Sequence, residues 1–149
     1  MSLPVPACPP DTELPDAIVR KTVLVIDDDI THRAVICRVA DRAGFAAIGA
    51  ETVEDAELLL GSHQFDCVTL DISLGARSGY DVLKALAKLG FDKPVLIVSG
   101  LDVAACRDAA EAARRLALDA VDPLQKPIDP AALRVRLDAA RRRPGHIAV

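Results

Sequence analysis

The chain has 149 residues, 51% of them hydrophobic, 27% charged and 3% aromatic, with a formal charge of −4. A chain this long makes one ordinary domain, buries roughly 70% of its unfolded surface and needs no disulfide or metal staple. The composition excludes a disordered acidic tail, a collagen-like repeat and a disulfide-dense scaffold, and the acidic balance offers no field for nucleic acid. With no Trp, one Tyr and three Phe there is little for bases to stack on. No apolar run reaches the ~18 residues of a membrane span. The N-terminus carries Pro4, Pro6, Pro9, Pro10 and Pro15 in place of the apolar stretch of a signal peptide. Cys8, Cys37, Cys67 and Cys106 form no C-x-x-C pair. They read as free thiols, Cys37 and Cys67 as small buried hydrophobes, which suits a reducing cytoplasm.

In chain order, residues 1–20 read as a flexible Pro-rich extension, because proline blocks helix and ladder alike. Val23-Leu24-Val25-Ile26 is a β-branched run typical of a strand buried on both faces, and it stops at Asp27-Asp28-Asp29. A helix is predicted from about Thr31 to Ala43, closed by Gly44. Phe45 to Ala50 is a weaker strand. Thr52 caps a helix over Val53 to Leu60 that is expected to end at Gly61. Cys67 to Leu70 is the third strand and ends at Asp71. A loop from Ile72 to Ser78 leads into a helix over Tyr80 to Leu89, with Val82, Leu83 and Leu86 on one side. Val95 to Val98 is the fourth strand, running into Ser99-Gly100. An Ala-rich helix spans about Val103 to Leu118. Ala120 to Leu124 is a fifth, poorer strand ending at Gln125-Lys126-Pro127. The last helix runs from about Pro130 to Arg141, and 143–149 is a tail.

Five β and five α units thus alternate. Alternation implies parallel strands, right-handed crossovers and helices on both faces of one sheet. Such sheets bind their ligands outside the carboxyl ends of the strands. At those ends the sequence places Asp27 and Asp28, then Asp71, then Ser99, then Lys126. Each alone reads as a helix cap or a solvated charge; their recurrence at four strand ends points to a site. Carboxylates held close repel by about 4 kcal/mol per pair at 4 Å and an effective dielectric of ~20. A hard divalent cation such as Mg²⁺ relieves this while leaving room for phosphate oxygens. A cation, an ammonium and a hydroxyl together suit phosphoryl transfer, with one carboxylate as nucleophile forming an acyl phosphate.

The segments Val23 to Asp29, Leu70-Asp71 with Gly79 eight residues on, Ile97-Val98-Ser99-Gly100 and Lys126-Pro127 resemble the receiver domain of bacterial two-component response regulators. The resemblance covers about residues 21–142. It implies a flavodoxin-like, doubly wound (βα)5 fold with strand order 2-1-3-4-5, here with a lengthened fourth helix. It also implies roles by position. Asp71 is expected to be the phosphoacceptor, Ser99 the switch hydroxyl and Lys126 the phosphate-pairing ammonium. Asp28 is expected to bind Mg²⁺ directly, Asp27 through water, and Ser73 through its backbone carbonyl. Gly100 matches the small residue that leaves the site open, and Pro127 the residue after a cis peptide bond. The implied partners are a sensor histidine kinase or phosphotransfer protein, and a downstream effector domain or protein, with no nucleic acid or membrane bound directly and catalysis limited to the domain's own phosphorylation and dephosphorylation.

Three features depart from the pattern. Gly75 stands where the family has proline, so that loop is expected to be more mobile. Pro123 stands where the family has its switch aromatic, so no ring can swing inward. Ser99 and Lys126 are about five residues further apart than in compact receivers, more than one helical turn. The last feature resembles, more weakly, receivers joined to EAL-type cyclic-di-GMP phosphodiesterases, which implies a receiver taken from a longer protein. Residues 142–149 contain no effector or helix-turn-helix pattern, so output runs by protein contact or through a further segment.

Two rival readings fit parts of the sequence. Asp27-Asp28-Asp29-Ile30-Thr31 fits D-x-D-x-T and resembles aspartate-nucleophile phosphohydrolases of the haloacid dehalogenase type, but no late acidic pair and no cap domain follow, and Asp71 would have no role. The other is a pseudo-receiver that binds partners without phosphorylation. Arg134, Arg136 and Arg141 to Arg143 read as a solvated helix end favoured by its dipole. His32, His63 and His146 share no metal spacing, and His32 reads as a surface residue at a helix start, with tuning of the adjacent acidic cluster as the alternative.

Overall fold

A computed structural model describes residues 20–75 and 77–143. The extension expected over 1–20 and the tail over 143–149 lie outside the described residues, apart from Arg20 and Arg143 at their edges. The elements are β1 (Lys21–Ile26), α1 (Ile30–Arg42), β2 (Phe45–Ala50), α2 (Val53–Ser62), β3 (Cys67–Leu70), β4 (Ser73–Leu74), β5 (Arg77–Ser78), α3 (Gly79–Lys88), β6 (Pro94–Ser99), α4 (Val103–Arg115), β7 (Asp119–Ala120), β8 (Leu124–Gln125) and α5 (Pro130–Arg142). The main sheet is parallel in the order β2-β1-β3-β6-β7, with β8 also on β6. This is the flavodoxin-like order 2-1-3-4-5 expected of the sequence. The labels differ because a small hairpin intervenes and the fifth strand is split.

Each buried strand feeds two cores, because successive side chains point to opposite faces. Along β1, Val23 and Val25 pack with Ile36, Val39, Leu133 and Leu137 of α1 and α5, while Leu24 and Ile26 pack with residues of α2, α3 and α4. β6 does the same with Leu96 and Val98 against Val95 and Ile97. Burying a side chain of this size contributes roughly 2 kcal/mol, so the β-branched runs commit these strands to the middle of the sheet.

Four local expectations are corrected. The helix expected to end at Gly61 runs on to Ser62, whose hydroxyl donates back to the Leu58 carbonyl at 2.9 Å. The loop over 72–78 contains the antiparallel hairpin β4–β5. The fourth helix stops at Arg115, not Leu118, and its 13 residues match those of α1 and α5. The chain leaves the helix at its C-cap, Leu116. There Ala117 turns back at φ 64° so that Leu118 enters the core at 5% exposure. Burial of that leucine outweighs the ~1–2 kcal/mol that a left-handed alanine costs. Finally, the fifth strand is interrupted at Pro123, which has no N–H to donate. On either side the ladder holds, with Val121 N on Val95 O at 3.0 Å and Lys126 N on Ser99 O at 2.8 Å.

Cys67 and Cys106 are buried and Cys37 is partly so. Burial pushes the Cys67 thiol up to about 12 and raises those of Cys37 and Cys106, as suits small hydrophobes with little thiolate character. Among the described residues no helix is long and apolar enough to cross a membrane.

Candidate functional site

The site lies where β1, β3, β6 and β8 end. Three backbone bonds extend the ladder past the strands. Asp27 N donates to Ala50 O at 3.0 Å, Asp71 N to Ile26 O at 3.0 Å, and Lys126 N to Ser99 O at 2.8 Å. The backbones that carry the polar side chains are therefore tied to neighbouring strands. Asp27, Asp71 and Ser99 are buried, and the Lys126 side chain is only 9% exposed.

The side chains converge. Lys126 Nζ donates to Asp27 Oδ2 at 2.8 Å and to Asp71 Oδ2 at 3.0 Å. The other Asp71 oxygen, Oδ1, accepts from the Ser99 hydroxyl at 2.9 Å and from Ser73 N at 3.0 Å. Asp27 Oδ1 accepts from Asp29 N at 2.9 Å. Burial works against the charge on Lys126, but the hydrogen bonds and charges of Asp27 and Asp71 outweigh it and hold the ammonium above its ordinary pKa. The peptide between Lys126 and Pro127 is cis.

Asp27, Asp28 and Asp71 each offer a carboxylate oxygen, and the three lie within 4.8 Å of one another. Asp27 and Asp71 are buried, whereas Asp28 is exposed and open to solvent exchange. Three carboxylates against one ammonium leave two negative charges unbalanced among these groups. An all-oxygen donor set of that charge fits a hard divalent cation. Asp29 is not among them. Its side chain caps α1, with Oδ1 accepting from Thr31 N at 2.8 Å and His32 N at 3.0 Å, and the His32 amide is the main cause that holds its carboxyl below the usual range. That leaves the D-x-D-x-T reading without its second acid.

Ser73 sits in β4, exposed, beside the cluster. Gly100 is exposed, and a Cβ there would meet open space. Gly75 turns the β4–β5 hairpin at φ +67°, a conformation that proline, fixed near −65°, cannot adopt. The departure at this position thus matches the turn the backbone makes. Pro123 lines a groove with Val103, Cys106 and Arg136, between α4 and the start of β8.

Sequence reasoning read one participant first as a surface residue and missed another. His32 is a neighbour of the site ammonium, with Nδ1 2.8 Å from Lys126 Nζ. Arg33 donates to the Asp27 carbonyl at 2.7 Å. The only signal for either was its position within a turn of the acidic run.

A model of the response regulator receiver domain family matches residues 23–138. The chain is 28% identical over 130 residues to the phosphate regulon transcriptional regulatory protein PhoB of Pseudomonas aeruginosa, covering 86% of this chain and 55% of that protein. It is 33% identical over 122 residues to the virulence sensor protein BvgS of Bordetella pertussis, covering 79% of this chain and 10% of the sensor. It thus spans about half of the one relative and a tenth of the other. Among solved structures, a Burkholderia pseudomallei response regulator with a phosphorylated aspartic acid, calcium ion and citrate matches with a TM-score of 0.67 at 29% identity, over 82% of this chain and 66% of that one. A Francisella response regulator 1452 receiver domain shares the fold at a TM-score of 0.71 and 24% identity, over 83% of this chain and 98% of that one.

Proposed function

The chain belongs to the response regulator receiver domain family of two-component signalling, and from that premise we propose that Asp71 is its phosphoacceptor. The observation that carries this reading is the setting of the Asp71 carboxylate, which the Ser99 hydroxyl and the Lys126 ammonium approach on different oxygens while two more carboxylates stand beside it. A carboxylate oxygen of Asp71 attacks phosphorus, the bond from phosphorus to the donor breaks, and the donor leaves with its electron pair. The donor is a phosphohistidine on a sensor kinase or phosphotransfer protein. Asp28, Asp27, Asp71 and the Ser73 carbonyl would hold Mg²⁺, which supplies positive charge opposite the transferred oxygens. Catalysis is confined to the domain's own phosphorylation and dephosphorylation, in the cytoplasm, and output passes to an effector domain or protein.

Ser99 and Lys126 convert the modification into a shape change. Phosphorylation adds about −1.5 to −2 charge. Ser99 Oγ donates to Asp71 and also accepts from Leu101 N at 3.4 Å, so turning the hydroxyl toward a phosphoryl oxygen tugs the turn that enters α4. With proline at position 123, this backbone link replaces a swinging ring. Such a change biases an existing equilibrium instead of creating a new state.

Incubation with acetyl phosphate and Mg²⁺ is expected to add one phosphoryl group per chain, seen as a single mass increment on the intact protein. A protein that turns over phosphate esters without retaining a phosphoryl group would overturn the reading. Ser99→Ala and Lys126→Ala are each expected to shrink the beryllofluoride-induced amide shifts around Leu101 to Cys106 by half or more, even where Asp71 is still modified. Undiminished shifts in both variants would sink the proposed coupling.

A further inference from the structure

Lys126 carries three N–H bonds and can accept none. Two of them meet Asp27 Oδ2 and Asp71 Oδ2, at 2.8 and 3.0 Å, and His32 Nδ1 stands 2.8 Å from the same nitrogen. An ammonium this close requires a lone pair on Nδ1, so the imidazole is neutral with its proton on Nε2. The backbone holds His32 in this place. Its amide donates to the Asp29 cap at 3.0 Å, which sets the first turn of α1 and turns position 32 toward Lys126. His32 Nδ1 is 3.8 Å from Asp29 Oδ2, too far for a hydrogen bond, so the ring is committed to Lys126 and not to its helix cap.

We propose that His32 is a positioning residue for phosphoryl transfer: its Nδ1 takes the third hydrogen of Lys126, aims the ammonium between Asp27 and Asp71, and yields that hydrogen to an incoming phosphoryl oxygen. The division of labour follows from charge. Bonds to the two carboxylates are charge-assisted at both ends, whereas the imidazole is a neutral acceptor and makes the weakest of the three. When an anionic oxygen arrives, the bond to His32 is the one exchanged at least cost. Without it the ammonium is free to rotate and to lean toward Asp27, and a catalytic group misplaced by a fraction of an ångström loses rate steeply.

The inference rests on Asp71 being the phosphoacceptor, and the test separates the two. Initial rates of phosphorylation by acetyl phosphate are compared for the wild type, H32A and H32N at several Mg²⁺ concentrations. H32A is expected to be slower by about 3- to 10-fold, short of the ~10²-fold that a full 1 Å misplacement can cost, with the Mg²⁺ dependence unmoved. H32N, whose amide oxygen stands close to the place of Nδ1, is expected to recover most of the rate. Independently of any phosphorylation, ¹⁵N signals of labelled imidazoles, assigned by the loss of one set in H32A, should show His32 with a bare, hydrogen-bonded Nδ1 and a proton on Nε2, and the Nδ1 signal should move in K126A. Failure of the wild type to be modified would overturn the parent reading. A wild type that is modified, alongside an H32A of equal rate, an H32N as slow as H32A, or a proton on Nδ1 in the resting protein, would overturn this one.

Discussion

Asp71→Asn is expected to abolish phosphoryl incorporation from acetyl phosphate, a fall of about 10³-fold or more, because no other group replaces the attacking oxygen. An amide oxygen is a poor nucleophile, and the substitution also disturbs the ammonium. One face of the new side chain still accepts from Ser99 and from Ser73 N, as Asp71 Oδ1 does at 2.9 and 3.0 Å. The other would present N–H bonds to Lys126, donor against donor. Lys126 would then rest on Asp27 and His32 alone. The fold should survive, since removing one of three clustered carboxylates lowers their mutual repulsion. With no Trp and one Tyr in the chain, the sensitive readouts are intact mass and amide NMR. The D71N protein should show no mass increment, and beryllofluoride with Mg²⁺ should leave its spectrum unmoved. Incorporation that persists at the wild-type level would place the nucleophile among Asp27, Asp28 and Asp29 and revive the dehalogenase-type reading.

Gly79→Ala is the second large effect, and here the cause is packing. Gly79 opens α3 and donates its N–H to Ile72 O at 2.7 Å. A Cβ on it would lie 2.6 Å from Ile72 Cα and 2.7 Å from Asp71 O. Both are backbone atoms of the segment that presents the Asp71 carboxylate, so relief requires moving the site itself. A loss of about 3 kcal/mol is expected, at the upper end for overpacking, and a melting temperature lower by roughly 5–10 °C for a domain of this size. Phosphorylation should slow as well, because Asp71 and Ser73 move with the clash. Gly61→Ala is the control. It lies inside α2 with open space around it, where alanine gains about 0.5–1 kcal/mol over glycine in a helix. Equal melting temperatures for G79A and the wild type would show that the close approach is not rigid.

The strand runs and the polar residues at their ends were legible because both are local. Val23 to Ile26 and Pro94 to Ser99 are buried along their whole length, and an unbroken apolar run of that length has few other places in an α/β chain. Asp27, Asp71, Ser99 and Lys126 follow from those runs, since every parallel strand ends at the same edge of the sheet. The resemblance supplied the strand order, which periodicity does not carry.

Other features depended on partners distant in the chain. The β4–β5 hairpin has two residues per strand, too few to show a period. The stop of α4 at Arg115 carries no glycine or proline signal, because burial of Leu118 against the sheet drives the turn at Ala117. Arg77 fastens the hairpin to Glu54 and Glu57 of α2 and to Asp81 of α3, and the two contacts with α2 span 23 and 20 positions of chain. His32 and Lys126 are 94 positions apart, and neither identity hints at the other. Side-chain alternation and strand-end chemistry are properties of a few adjacent residues and can be read along the chain. Which neutral group completes an ammonium's shell is set by how the first helix and the last strand pack against the same sheet, and that appears only once the chain has folded.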